Sequence, residues 1–391
     1  MAASCCKDDP ESIPKGPFLE GDSLEQTIII YMAGENSLAN YVARDSSEFS
    51  LGLPAISPQT RVVVYIDDTH SSRLCVGTST KTLQTVRTYD GNVCSTDSAE
   101  MSRILSDITT TYPARHYGLV MWSHASGWLF QPTAKRGPHR SFGIDNGQRT
   151  NSNTGPQMNI PVLAQVLKQG PHFDFIFFDA CFMQCVEVAY ELRHVTDYIL
   201  GSPAEIPGDG APYHLIMPYL TQQPADLAGA MYAYADFYVS GAGARTYHGA
   251  ILSVIQTDQL EALAAATQPI VRQLLDGHAY PNCSAVQRYC RSERTTDYTD
   301  FYDFQNLVYV MQPELYDDWM QAFDAAVPCS AITNLWYSAL PYGHVEQVSD
   351  VAHCGGVSMF VPKESFEEMG WTDDYRQLQW YKASGMNLTG W

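Results

Sequence analysis

The chain has 391 residues, 45% of them hydrophobic and 12% aromatic, which is enough to bury a large core and suits one large domain plus a smaller one. A formal net charge of -20 argues against nucleic-acid binding, because phosphate recognition needs clustered Lys and Arg. That acidity would attract basic peptides, and it equally serves to keep an exported protein soluble.

Residues 1–24 read as a polar tether. Its start, Ala2-Ala-Ser-Cys5-Cys6-Lys-Asp-Asp, puts small residues before a cysteine and acids after it. This resembles the processed end of a bacterial surface lipoprotein, with Cys5 as the lipid-carrying residue. An exported protein is therefore expected, either anchored at the outer membrane or cell surface or secreted. No stretch of about 18 apolar residues reads as a membrane span.

Apolar runs predict strands over 27–33, 61–66, 117–123, 173–179, 198–202 and 248–255. Helical spacing lies between them at 38–49, 99–111, 160–168 and 182–194. Such alternation predicts a mostly parallel sheet covered by helices, here a domain over 25–256. From 257 to 391 the pattern is mainly helical, as in 259–275 and 301–326, with one late strand at 356–361. That segment is expected to form a smaller C-terminal domain.

Two strand ends carry chemistry. Phe173-Asp-Phe-Ile-Phe-Phe-Asp179-Ala-Cys181 is an apolar run, too continuous to alternate, that stops on an acid and a cysteine. With a helix expected from 182, Cys181 would sit at a helix N-terminus, where a thiolate is favoured. Tyr117-Gly-Leu-Val-Met-Trp-Ser-His124 delivers a histidine in the same way. Singly, a cysteine after a strand is more often a core residue and a histidine beside Trp a structural one. Together, at strand ends where open sheets place their sites, they suggest a cysteine hydrolase.

The motifs resemble those of clostripain-like cysteine peptidases. His124-Ala-Ser-Gly-Trp128 is similar to the family's His-Gly-x-Gly-Trp, and Asp179-Ala-Cys181-Phe-Met183 to its Asp-Ala-Cys-Leu-Met. Further likeness runs through Tyr31–Asn36, Ser202–Gly210, Tyr298–Phe304 and Gly356–Pro362, roughly residues 25–380. The resemblance implies a caspase-like three-layer fold and a Cys181–His124 dyad cleaving after Arg or Lys. It implies oxyanion donors at the backbone N–H groups of Ala125 and Cys181. Asp179 and Asp209 would bind the basic P1 side chain, with Glu205 a weaker substitute. Ala125 stands where the family has glycine, and a loop needing φ > 0 there would be impaired. A catalytically inactive relative that binds peptide or host ligand is the alternative. A serine esterase is disfavoured by the lack of a Gly-x-Ser-x-Gly elbow.

Residues 131–157 are rich in Gly, Pro, Asn and Ser and read as a long exposed loop. The resemblance implies activation by self-cleavage there, at Lys135, Arg136, Arg140 or Arg149. Some relatives need calcium, so Asp67, Asp68, Asp297, Asp300 and Asp303 are noted as carboxylates, without an EF-hand pattern or an assignable metal site. Ten cysteines leave disulfides open, Cys75 with Cys94 and Cys283 with Cys290 being the nearby candidates. Cys185, one helical turn beyond Cys181, reads as packing. The expected partners are peptide or protein substrates with basic residues, and the chain is expected to be a monomer.

Overall fold

A computed structural model describes residues 24–130, 141–293, 298–340 and 342–391. Its first ten strands are β1 (Leu24–Ala33), β2 (Thr60–Asp67), β3 (Ser72–Thr78), β4 (Lys81–Tyr89), β5 (Ala114–Trp122), β6 (Phe173–Asp179), β7 (Thr196–Gly201), β8 (Ile251–Gln256), the short β9 (Tyr302–Asp303) and β10 (Cys329–Ile332). All but β9 form one sheet in the order β10-β8-β7-β6-β5-β1-β2-β3-β4. The five central strands from β7 to β2 are mutually parallel. Antiparallel strands close both flanks, β8 and β10 on one side and β3 and β4 on the other.

Alternation within the apolar runs explains the layers. In β1, Ile29, Tyr31 and Ala33 enter one buried cluster, while Ile28, Ile30 and Met32 enter the other. A strand so divided must be covered on both faces, which is why it carries no polar alternation. Helices α1 (Ala39–Gly52), α5 (Tyr213–Leu220) and α6 (Leu227–Val239) contribute to the second cluster. Helices α2 (Ser98–Thr111), α3 (Ile160–Leu167) and α4 (Val186–Leu192) contribute to the first. Edge strand β4 is mostly exposed and rich in Thr, Lys and Gln, which blunts its free edge.

The segment after 257 shares this core. Leu260, Trp319, Phe360 and Trp380 lie in the same cluster as Ile29 and Phe178, and β10 adds a strand to the sheet. The expected helix over 301–326 is divided into Phe304–Met311 and Pro313–Ala326. Proline excludes the preceding residue from helical backbone, and Gln312 has φ -142° and ψ 54°. The expected late strand shortens to Ser358–Met359, paired with β9. The β3–β4 hairpin was not among the expected strands, and β8 runs antiparallel to β7. The eight described cysteines, from Cys75 to Cys354, are all free thiols. Cys75 faces Thr85 and Cys94 faces Thr96, each hydroxyl at 3.4 Å.

Candidate active site

Register brings His124 and Cys181 to neighbouring strand exits. Trp122 at the end of β5 pairs with Asp179 at the end of β6. Two residues further along each strand stand His124 and Cys181, at the carboxyl edge of the sheet. Strand β1 lies on the other side of β5, with Met32 paired to Trp122. Its exit loop brings Ser37 Oγ to 2.8 Å from His124 Nε2. The Ile206 backbone N–H points at Cys181 Sγ from 3.4 Å.

Cys181 does not sit at a helix N-terminus, contrary to the sequence expectation. Helix α4 starts at Val186, and Cys185 is its buried N-cap residue. Residues 182–184 instead run beside 202–204, with Phe182 N–H donating to Ala204 O and Gln184 N–H to Ser202 O, both at 3.0 Å. Phe182 has φ +62°, a left-handed conformation costing about 1–3 kcal/mol for a non-glycine residue. Its buried ring stacks on Phe301 with centroids 4.8 Å apart, which offsets that cost. The helix dipole therefore gives Cys181 no support, and a strained turn presents it instead.

Ala125 is buried and bridged to Phe142, and it is not among the residues with positive φ. The left-handed residue of this loop is Gly127, at φ +66°. A Cβ there would stand 2.9 Å from Phe182 O, so the histidine loop and the cysteine turn press together at this glycine. Alanine at 125 thus introduces no backbone strain.

The acids differ in their commitments. Asp179 is buried, and its Oδ2 accepts from Tyr213 O–H at 2.6 Å and Ala211 N–H at 3.1 Å. Its Oδ1 has no partner among the described residues, and burial pushes the carboxyl up to about 6. Asp209 is half-buried and accepts from the Arg44 guanidinium. Glu205 accepts from Ser338 O–H at 2.5 Å and Leu340 N–H at 3.2 Å, which commits it to that turn. Sequence reading missed Asp45 on α1, whose Oδ2 accepts from the Trp122 indole N–H at 2.7 Å. It also missed Ser37, an ordinary loop serine in sequence.

Arg149, read as part of an exposed loop, is instead anchored. Its guanidinium donates to Asp67 Oδ1 and Ser72 Oγ at 2.6 Å, Asp68 O at 2.8 Å and Glu35 Oε2 at 3.3 Å. Carboxylate oxygens of Glu35, Asp67 and Asp145 lie within 4.8 Å of one another, all three residues being buried. Burial raises the Glu35 and Asp67 carboxyls, with Asp145 adding to the effect. Of the other carboxylates noted for calcium, Asp68 caps a turn, accepting from the backbone of His70 and Ser71. Asp300 pairs with Lys363, and Asp303 accepts from Tyr289 O–H and the Asn306 N–H. Lys135, Arg136, Arg140, Asp297 and Cys5 lie outside the described residues.

A mostly parallel sheet that brings a cysteine and a histidine to adjacent strand exits defines a nucleophilic hydrolase site of the cysteine peptidase class. The model of the clostripain family matches residues 30–388, and the chain belongs to that family of cysteine peptidases. It is similar to the structure of a secreted C11 cysteine protease from Bacteroides thetaiotaomicron in complex with an irreversible peptide inhibitor. Identity is 30%, covering 93% of this chain and 99% of that one, with a TM-score of 0.78. An inactive zymogen C11 protease from Parabacteroides distasonis is 29% identical, covering 94% of this chain and 99% of that chain, with a TM-score of 0.76. A cysteine protease from B. fragilis is 32% identical over 60% of this chain and 96% of its own, with a TM-score of 0.54. No curated protein matches the chain. The fold is accordingly caspase-like, and the expectation of a cysteine peptidase is borne out.

Proposed function

We propose that this peptidase cleaves after Arg or Lys by a Cys181–His124 dyad. The observation that carries the reading is the β5–β6 register, which sets both residues two positions beyond a paired Trp122 and Asp179. Cys181 Sγ, as thiolate, attacks the scissile carbonyl and forms a thioester as the amine leaves. His124 takes the thiol proton and returns it to the leaving nitrogen; water then hydrolyses the thioester. Backbone N–H groups of Ala125 and Cys181 receive the developing oxyanion, each worth ~3 kcal/mol in the transition state.

Asp179 and Asp209 hold the P1 cation. Support comes from the unpartnered Oδ1 of Asp179 and from Asp209, which already binds one guanidinium, that of Arg44. A P1 arginine would exchange with Arg44 there. Self-cleavage between the histidine and cysteine strands, at Lys135, Arg136, Arg140 or Arg149, activates the enzyme. Replacing all four with Ala should leave a single chain, and two fragments cut within 131–157 would contradict this. The protein acts as an exported monomer with Cys5 as a lipid attachment point, a reading supported by the acidic sequence and by a secreted relative. No helix among the described residues is long and apolar enough to cross a membrane.

Hydrolysis of fluorogenic peptides with Arg, Lys, Ala or Asp at P1, by wild type and Cys181→Ala, tests the proposal. Cleavage after Arg and Lys that the substitution abolishes is the expected result. Activity confined to a non-basic P1 would remove Asp179 and Asp209 from their roles. The rival reading of an inactive peptide-binding relative rested on Ala125, whose backbone needs no left-handed conformation.

A further inference from the structure

Helix α1 carries an acid on its buried face. Val42, Asp45, Phe49 and Gly52 are its buried residues, and Asp45 is fully inaccessible. The Trp122 indole satisfies one Asp45 oxygen, while Oδ1 is buried without a partner among the described residues. Asp179 repeats the pattern, with Oδ2 doubly hydrogen-bonded and Oδ1 buried and unpartnered. The hydrogen-bonded Oδ2 atoms of the two carboxylates both lie beside Gly210, where φ is +64°. A Cβ on Gly210 would stand 3.1 Å from Asp179 Oδ2 and 3.4 Å from Asp45 Oδ2. Packing alone requires no charge at position 45, since an asparagine would accept from Trp122 equally well. Two buried acids, each with an oxygen left open, point to a cation that completes the site.

We propose that Asp45 is a further P1-binding acid, forming with Asp179 the floor that receives the cationic end of a P1 arginine while Asp209 and Arg44 stand nearer the surface. The proposal rests on the reading that the enzyme cleaves after basic residues, and it adds a specificity-determining residue to that reading. A guanidinium suits two carboxylates because its planar fork carries five donors, whereas an ammonium is a single point charge. Arg is therefore preferred over Lys.

The charged and titratable groups around Asp45 are Arg44 and Glu48 on α1, Asp179 at the end of β6, Tyr213 on α5 and Tyr234 on α6. Burial, then the charge of Asp179, pushes Asp45 up to about 8. At neutral pH, without substrate, Asp45 thus holds a proton. An arriving guanidinium favours the ionised form, and that proton passes to solvent.

The test measures kcat and KM for peptides with Arg or Lys at P1, across about pH 6 to 9, for wild type, Asp45→Asn and Asp179→Asn. Loss of a charge-assisted contact predicts that Asp45→Asn lowers kcat/KM for Arg roughly tenfold or more, mainly through KM, and less for Lys. Its pH dependence between about 6 and 8 should flatten. Wild-type Arg/Lys ratio and pH profile in Asp45→Asn would overturn the proposal while leaving cleavage after basic residues intact. A wild-type enzyme indifferent to basic P1 residues would overturn both.

Discussion

Trp122 and Asp179 are register partners on adjacent parallel strands, and Asp45 of α1 lies beside both. The Trp122 indole holds Asp45, and Gly210 is the point on which Asp45 and Asp179 converge. One register thus sets His124 and Cys181 just beyond the same sheet edge at which Trp122 and Asp179 end.

Gly127, rather than position 125, is where the histidine loop needs glycine. Gly127→Ala meets Phe182 O at 2.9 Å and Phe301 at 3.0 Å in a left-handed backbone. Destabilisation of about 1–3 kcal/mol and a substantial fall in kcat/KM are expected. Ala125→Gly should leave kcat/KM within a few-fold of wild type. Thermal melts with the same fluorogenic assay compare the two, and the reverse order of damage would contradict the account.

Ser37 Oγ lies 2.8 Å from His124 Nε2, a ring nitrogen that would exchange protons in the proposed dyad. Removing one hydrogen bond of ~1 kcal/mol predicts that Ser37→Ala lowers kcat/KM about fivefold and alters the pH profile of kcat/KM without changing Tm appreciably. An unchanged pH profile would show the contact to be incidental.

Stability should fall as pH rises from about 5 to 8.5. Burial raises Asp45 to about 8, Glu187 to about 7, and Asp179 and Asp303 to about 6. Each favours the fold in its neutral form, a contribution complete below its unfolded value near 4 and lost as pH climbs through the folded value. Asp68 and Asp300 are lowered, so their contributions are lost only in stronger acid. Glu187 accepts from the Phe360 N–H, which Gln would also satisfy. Glu187→Gln should raise Tm by a few degrees at pH 8, by relieving about 3 kcal/mol of burial cost. A Tm that climbs with pH over this range would contradict the assignment.

Arg149 neutralises a buried acid cluster, so Arg149→Ala leaves Glu35 and Asp67 without their cation. A loss of about 3–5 kcal/mol is expected, read by urea denaturation. Cleavage after Arg149 requires its guanidinium to leave that cluster first. Equal stability of Arg149→Ala and wild type would show the contacts to be weak.

Much of this was legible in the sequence because inner parallel strands cannot hide. Ile28-Ile-Ile and Phe175–Phe178 are apolar throughout, and only a doubly covered strand uses such a run. The His124 and Cys181 strand ends followed directly. The turn after Cys181 was not legible, because Phe182, Met183 and Cys185 continue a helix-like apolar spacing while Phe182 adopts φ +62°. Local propensity gives no warning of a phenylalanine held left-handed by stacking on Phe301, a residue more than a hundred positions away. Asp45 was hidden for the opposite reason. Flanked by Arg44 and Glu48, it reads as helix surface, and only the fold shows that it shares the buried stripe of Val42 and Phe49. Ser37 and the Glu35–Asp67–Asp145 group depend on contacts between separate strand exits, for which the sequence carries no periodic signal.

The most direct test of the central claim is peptide mapping after reaction with an arginine-based, cysteine-directed electrophile. A single adduct on Cys181, lost in Cys181→Ala and slowed in His124→Ala, is the predicted result. Labelling of another of the ten cysteines, or none while the protein still cleaves after arginine, would contradict it.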